Sequence, residues 1–340
     1  MAPPPAAVPA LNPSSAPPNP HTPEAIALRA DLEVPPLLLP DPKRLFGERA
    51  LRLRQLAAGH AMRDYLMLLA VVCEAQHAQA QLPSVLALPT PAQRDNAAQV
   101  GAPVFDATRW PRDPQWRSAL RAIGAQVLER LPRDSPARTA VQSLSTLADD
   151  ALELQADRLL AGITLGLDMA LAPLVAAGLQ LYFSQLVAAG AAAQPNLFAV
   201  AAKADRCPCC GSLPVASLTR LGGQQEGQRY QHCTLCSAQW HSERIRCTRC
   251  QATEGIHYLS LEAVAASPDA PRKRPAVEAE TCDACGHYLK ILHAAVDLHS
   301  EPVADDLASL TLDLLVADAG FVRHGTNLLL LFGDAEASGS

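Results

Sequence analysis

Residues 207 to 211 read "CPCCG", with Cys207 and Cys210 set two residues apart, and the same spacing returns as "CTLC" at 233, "CTRC" at 247 and "CDAC" at 282. A CxxC turn places two sulfurs on one side of a tight knuckle, and two knuckles supply four sulfurs around one metal ion. Eight cysteines suffice for two such sites. Sequential pairing gives site one as Cys207, Cys210, Cys233 and Cys236, and site two as Cys247, Cys250, Cys282 and Cys285. The knuckles are separated by 22 residues in the first unit and 31 in the second, room for a β-hairpin in each. Crossed pairing would require the hairpins to interleave, so sequential pairing is expected. Each unit then resembles a zinc ribbon or a rubredoxin knuckle pair. Four thiolates fill a tetrahedron and leave no open position for water or substrate, which describes a closed structural site; ligand type alone admits zinc or iron.

After the second cysteine of a knuckle, a residue able to take positive φ lets backbone N–H groups turn toward the thiolates. Gly211 and Gly286 meet that need, whereas Ser237 and Gln251 hold the equivalent places in the other two knuckles, so each site is expected to have one Gly-supported knuckle and one without. Cys209 fits no CxxC pair and reads as a spare, oxidation-prone thiol, with a substitute metal ligand as the alternative. Cys73 stands far from the others and reads as a small core residue. His232 and His287 lie beside ligand cysteines, but each site already has four thiolates. Tyr230 and Trp240 are expected to cover the hairpins rather than stack on nucleobases.

Outside these units the chain is rich in Ala and Leu: of 340 residues, 49% are hydrophobic and 18% charged, which describes a folded protein of about two domains. Residues 1–22 are dominated by Pro, Ala and Ser and are expected to be disordered. They lack the basic and then apolar order of a secretory signal, so a cytoplasmic location is expected, where paired CxxC units serve metals more often than disulfides. Residues 23–202 read as a helical domain. Its patterns are "KRLFGERALRLRQLAAG", "AMRDYLMLLAVVCEAQHAQAQ", "QWRSALRAIGAQVLERL" and "SPARTAVQSLSTLADDALELQADRLLAG", the last opening at Ser135 and Pro136. No charge occurs from 169 to 202, and "MALAPLVAAGLQLYFSQLVAAG" would reach roughly 33 Å as a helix, long enough to span a bilayer. Gln180, Ser184 and Gln185 interrupt it and no Lys or Arg lies close to either end, so it reads as the buried central helix of a bundle.

Composition shifts at Lys203. Residues 203–246 and 247–300 read as the two metal modules, with β-like runs "PVASLTRL", "QRYQHC" and "IHYLSLE" divided by turns such as "GGQQEG". Residues 301–333 read as a C-terminal helical segment, a single helix opened by Pro302 and closed by Gly320, and 334–340 as a flexible tail. The fold class expected is therefore a mainly α N-terminal domain, two small β-hairpin rubredoxin-like or zinc-ribbon-like modules and a C-terminal helix. GxSxG, P-loop, GxGxxG and HExxH motifs are all absent from the sequence, so no catalytic residue is assigned. The formal net charge of −6 argues against an electrostatic nucleic-acid binder. Over 203–293 there are 11 Lys plus Arg and 9 Asp plus Glu, a net of only +2, and the "RKR" at 272–274 sits in a segment that reads as a hairpin tip. A nucleic-acid ribbon and a one-electron, rubredoxin-like redox protein remain the rival readings.

The particular residues go further than the spacing. "CPCCGSLPVAS", "RYQHCTLCSAQW", "HYLSLE", "AETCDACGHYLKIL" and "EPVADDLASLTLDLL", preceded by "PPLLLPDP" and "LAAGHAMRDYL", together resemble the formate dehydrogenase accessory protein family, FdhE, in the same order over roughly residues 33 to 331. That resemblance implies a non-enzymatic, cytoplasmic assembly factor for respiratory formate dehydrogenases, acting on their catalytic subunit before export. It also implies two rubredoxin-like modules with iron as the associated metal and the four CxxC pairs as ligands, and it implies neither nucleic-acid binding nor membrane insertion. Cys209, at a place usually apolar in the family, and the Pro-rich tail are departures from it. Asp305 and Asp306 open the C-terminal helix. Their simplest role there is to complement the helix dipole; an exposed acidic face including Asp306, Ser309 and Asp313 would instead offer a partner-binding surface. Oligomeric state is not legible.

Overall fold

The computed structural model describes residues 34–200, 204–221, 227–261 and 275–331. The expected N-terminal tail, the "RKR" segment, most of the "GGQQEG" turn and the C-terminal tail lie outside them. Everything below belongs to the compact unit Pro35–Ser340.

Among the described residues, seven helices follow a short first strand: α1 (Pro42–Ala57), α2 (Arg63–Ala80), α3 (Pro91–Gln99), α4 (Gln115–Arg130), α5 (Ala137–Ser143), α6 (Asp149–Ala161) and α7 (Ala172–Ala193). Their ends follow ordinary capping chemistry. Asp41 accepts from Lys43 N to open α1, and α6 ends on Gly162 in the left-handed region at φ 69°. The α3 helix, outside the helical patterns of the sequence, is nearly polar all round and is held by a capping box in which Thr90 and Gln93 serve each other's backbone N–H. The single helix expected from Ser135 onward is two. Ser143, Ser145 and Thr146 bond their hydroxyls to the carbonyls of Ala140, Gln142 and Ser143, and the helix breaks before restarting at Asp149.

The α7 helix is the axis of the bundle. It is long and apolar enough to cross a membrane, yet 78% of its most apolar window is buried by the rest of the fold. Leu120 of α4 lies 3.0 Å from where a Cβ on Gly178 would stand, so these helices meet where only glycine fits without adjustment.

The strands β1 (Leu37–Leu38), β2 (Pro214–Thr219), β3 (Arg229–Cys233), β4 (Gln239–Ser242), β5 (Ile256–Leu259), β6 (Val277–Cys282), β7 (His287–His293) and β8 (Val322–Arg323) form one sheet. Its order is β1-β4-β3-β2-β7-β6-β5, with β8 paired to β7. Each metal unit contributes an antiparallel set, and the two sets are joined by the parallel pairing of β2 with β7, where Ser217 lies opposite Ile291. A single buried cluster runs from Phe46 and Phe183 in the helices to Val215, Leu235 and Trp240 in the first strand set, so the helical bundle and the first metal unit share one core.

The C-terminal segment is two helices, α8 (Pro302–Ala308) and α9 (Leu310–Asp318), rather than one. The break at Ser309 turns its carbonyl and hydroxyl toward the Lys290 ammonium, 3.4 and 3.0 Å away.

Candidate metal centres

Site one is assembled where β3 meets the knuckle at 207–210. Cys207 Sγ lies 3.5 Å from Cys236 Sγ, and Cys210 Sγ lies 3.4 Å from Cys233 and 3.6 Å from Cys236. In site two, Cys247 Sγ is 3.7 Å from Cys285 and Cys250 Sγ is 3.6 Å from Cys282. Within each group all four sulfurs lie within 4.8 Å of one another. These separations exceed the ~2.05 Å of a disulfide. They approach the edge of about 3.8 Å that four sulfurs occupy around an ion at ~2.3 Å. Each group can therefore hold one metal ion, and the grouping is sequential.

The knuckles share one backbone design. Cys207, Cys247 and Cys282 carbonyls accept from the N–H four residues on, at 2.8, 3.0 and 2.8 Å. In return the N–H groups of Cys207, Cys233 and Cys247 bond the carbonyls of Ser212, Ala238 and Ala252, each at 2.9 Å. All four positions after the second cysteine are left-handed: Gly211 at φ 75°, Ser237 at 61°, Gln251 at 65° and Gly286 at 67°. Ser237 and Gln251 thus hold, with side chains, a conformation that costs an L-residue about 1–2 kcal/mol. The turn also aims backbone donors at sulfur, Leu235 N and Cys236 N both lying 3.4 Å from Cys233 Sγ.

Burial raises the thiols of Cys207, Cys233 and Cys236 far above their ordinary range, and that of Cys247 to about 12. Such groups give up their protons when a cation supplies the compensating charge, so metal binding here releases protons. Burial would raise Cys209 too, but contacts with the Cys207 and Cys236 thiols outweigh it and bring Cys209 to about 7. The spare-thiol expectation needs one correction: Cys209 is fully buried, with its carbonyl bonded to Phe105 N at 3.1 Å, so it is not open to solvent oxidants. His232 and His287 join neither group; the first contacts Gln239 Nε2 at 3.1 Å and the second Arg249 and the Cys285 carbonyl.

Two residues that sequence reasoning did not assign to the site hold it against the helices. Gln180, on α7, donates to Thr234 O at 2.8 Å inside the second knuckle of site one. Arg49, on α1 and fully buried, reaches Gln180 Oε1 at 3.4 Å, Ser237 Oγ at 3.3 Å and Glu301 at 3.0 Å. The signal for Gln180 was present as a polar residue inside an uncharged helix; Arg49 looked like one more charge on an amphipathic face.

Asp305 and Asp306 are not the exposed carboxylates of a partner surface. Asp305 is 4% exposed and bonded to Arg52, while Asp306 is 2% exposed and placed between Lys290 at 3.0 Å and Arg323 at 2.6 Å. Asp313 completes the second cluster, 2.5 Å from Lys290. The reason is topological: α8 packs against both α1 and β2, so the face carrying these acids turns inward onto cations donated from distant sequence.

Profiles of three FdhE regions match the chain: FdhE, N-terminal, over residues 34–196, the FdhE central domain over 206–244 and the FdhE C-terminal domain over 245–330. The chain belongs to the FdhE family. It is 36% identical over 309 residues to the protein FdhE homolog of Cronobacter sakazakii, and 35% identical over 315 residues to protein FdhE of Salmonella dublin. Both alignments cover 89% of this chain and 93% of the relative. The crystal structure of the FdhE protein from Pseudomonas aeruginosa superposes with a TM-score of 0.74 at 33% identity, over 88% of this chain and all of that one. The mainly helical N-terminal part followed by a sheet carrying two four-cysteine groups is the FdhE fold.

Proposed function

We propose that this FdhE protein is a non-enzymatic assembly factor for respiratory formate dehydrogenase, binding the catalytic subunit in the cytoplasm before export. Its eight paired cysteines hold two metal ions, iron or zinc, as closed four-thiolate sites. The reading is carried by family membership along nearly the whole chain together with the convergence of all eight cysteines into two complete sulfur groups. With four protein sulfurs per ion, the metal would shape the sheet and its knuckles rather than polarise a substrate.

The nucleic-acid alternative finds no support among the described residues. Trp240 and Tyr230 are fully buried, so neither is available to stack on a base, and the protein as a whole is acidic. The test is complementation of a bacterial strain lacking its own FdhE, read as respiratory formate dehydrogenase activity, paired with capture of the tagged catalytic subunit. The expected result is restored activity and a stable complex. Restored activity without capture would remove the direct-binding part of the proposal, and failure of both would remove the assembly role.

A further inference from the structure

The two sulfur groups have the same ligands and very different surroundings. In site one the cysteines are 0 to 1% exposed. Helix and loop segments close over them: Phe105 N bonds Cys209 O, Ala107 N bonds Cys210 O at 2.9 Å, Gln180 bonds Thr234 O, and Leu328 N bonds Thr234 Oγ1 at 3.4 Å. A groove of about 910 Å³ runs beside the first knuckle, yet Cys207 and Cys210 remain 1% exposed within it. Opening site one means pulling the shared core apart.

Site two stands at the other side of the sheet. Cys282 and Cys247 are 1% and 6% exposed, but Cys285 is half-buried and Cys250 lies at the surface. The second cysteine of each knuckle is therefore the more accessible one, beside exposed Arg249 and half-buried His287. The two knuckles of site two are held from the strands and their turns: Thr248 Oγ1 in the first accepts from Gln231 Nε2 at 2.8 Å, and Asp283 N in the second bonds Gly255 O at 2.9 Å. The site-one cysteines belong to the main core, whereas the second strand set carries a separate small cluster of Ala279, Tyr288, Leu312 and Val316 that includes no site-two cysteine.

We propose that the two sites are functionally distinct: site two is an exchangeable metal site, open through Cys250 and Cys285 to a competing thiolate or chelator, and site one is sealed. The inference rests on the metal reading above. With a metal bound, an incoming donor would take the place of Cys250, the ligand at the surface. Cys285 follows by the same path. No helix has to move. Exchange at site one must wait for local unfolding, whose free energy slows it by at least about tenfold.

The test uses the full-length, zinc-loaded protein with excess 4-(2-pyridylazo)resorcinol, following absorbance and counting bound ions by native mass spectrometry. Two phases of one equivalent each are expected, separated by at least about tenfold in rate, with a one-metal intermediate that keeps its helical circular dichroism. Cys250→Ser with Cys285→Ser should remove the fast phase and leave the slow one. Cys250→Ser alone, a change at an exposed position, should accelerate the fast phase only. A single phase releasing both equivalents, or loss of the slow phase in the double variant, would overturn the distinction between the sites. Fewer than two equivalents before chelator is added would instead overturn the metal reading itself.

Discussion

Removing the Asp306 carboxylate tests the packing of the C-terminal helices most sharply. Four charges meet there, Lys290 and Arg323 against Asp306 and Asp313, and they sum to zero. The Lys290 side chain is fully buried and that of Asp306 is 1% exposed. Asp306→Ala leaves a net positive charge in the interior, strips Arg323 of its 2.6 Å partner and takes one acceptor from Asn327. Breaking a buried pair from one side costs about 3–5 kcal/mol. Lys290 keeps Asp313 and the Asp306 and Ser309 carbonyls, so the lower end, about 3 kcal/mol, applies here. At 2–4 °C per kcal/mol for a large domain, the melting temperature should fall by roughly 6–12 °C. Thermal unfolding at pH 7 and equal metal content measures this, with Asp64→Ala, whose side chain is almost wholly exposed, as the surface reference. A loss no greater than that reference, within about 0.5 kcal/mol, would show that the cluster is not buried as described.

The neighbouring acids should respond to pH in opposite senses. Burial would raise Asp306, but Arg323 and Lys290 outweigh it and hold its pKa below the ordinary value. Its stabilisation is therefore present above about pH 3.9 and lost as pH falls through the depressed folded value, so Asp306→Asn should flatten the acid limb of the stability curve. Burial outweighs Arg52 at Asp305 and raises its pKa, so that contribution is present below about pH 3.9 and lost as pH rises through the folded value. Asp305→Asn should accordingly cost less near neutrality than at pH 3, measured by urea titration at both. At Gln251, held at φ 65°, substitution by Val should destabilise site two by about 1–2 kcal/mol. Gln251→Gly should be neutral or favourable despite loss of the 2.9 Å bond to Thr248 O; equal effects would contradict the left-handed requirement. Gln180→Leu leaves Thr234 O without its donor and should cost about 1–3 kcal/mol while speeding metal release from site one only.

Much of this architecture is legible because its causes are local. CxxC spacing brings two sulfurs together within one turn, and Pro and Gly punctuate α1, α6 and α7 where the chain pattern says they should. The helix α3 escaped because its stability comes from a capping box rather than an apolar stripe. The positive φ at Ser237 and Gln251 escaped because neither residue favours it; the knuckle imposes it. The inward turn of Asp305 and Asp306 could not be read because Arg52, Lys290 and Arg323 reach them across long sequence separations. The same holds for the parallel pairing of β2 and β7, which merges two hairpin units into one sheet although each looks self-contained in sequence.

The eight cysteines form two sequentially paired four-sulfur groups, each able to hold one metal ion. Native mass spectrometry of anaerobically purified full-length protein tests it most directly, by counting bound ions and the protons lost with them. Two ions per chain are expected, falling to one in Cys282→Ser Cys285→Ser with site one still loaded. No bound metal in the parent protein, or loss of both ions in that variant, would contradict it.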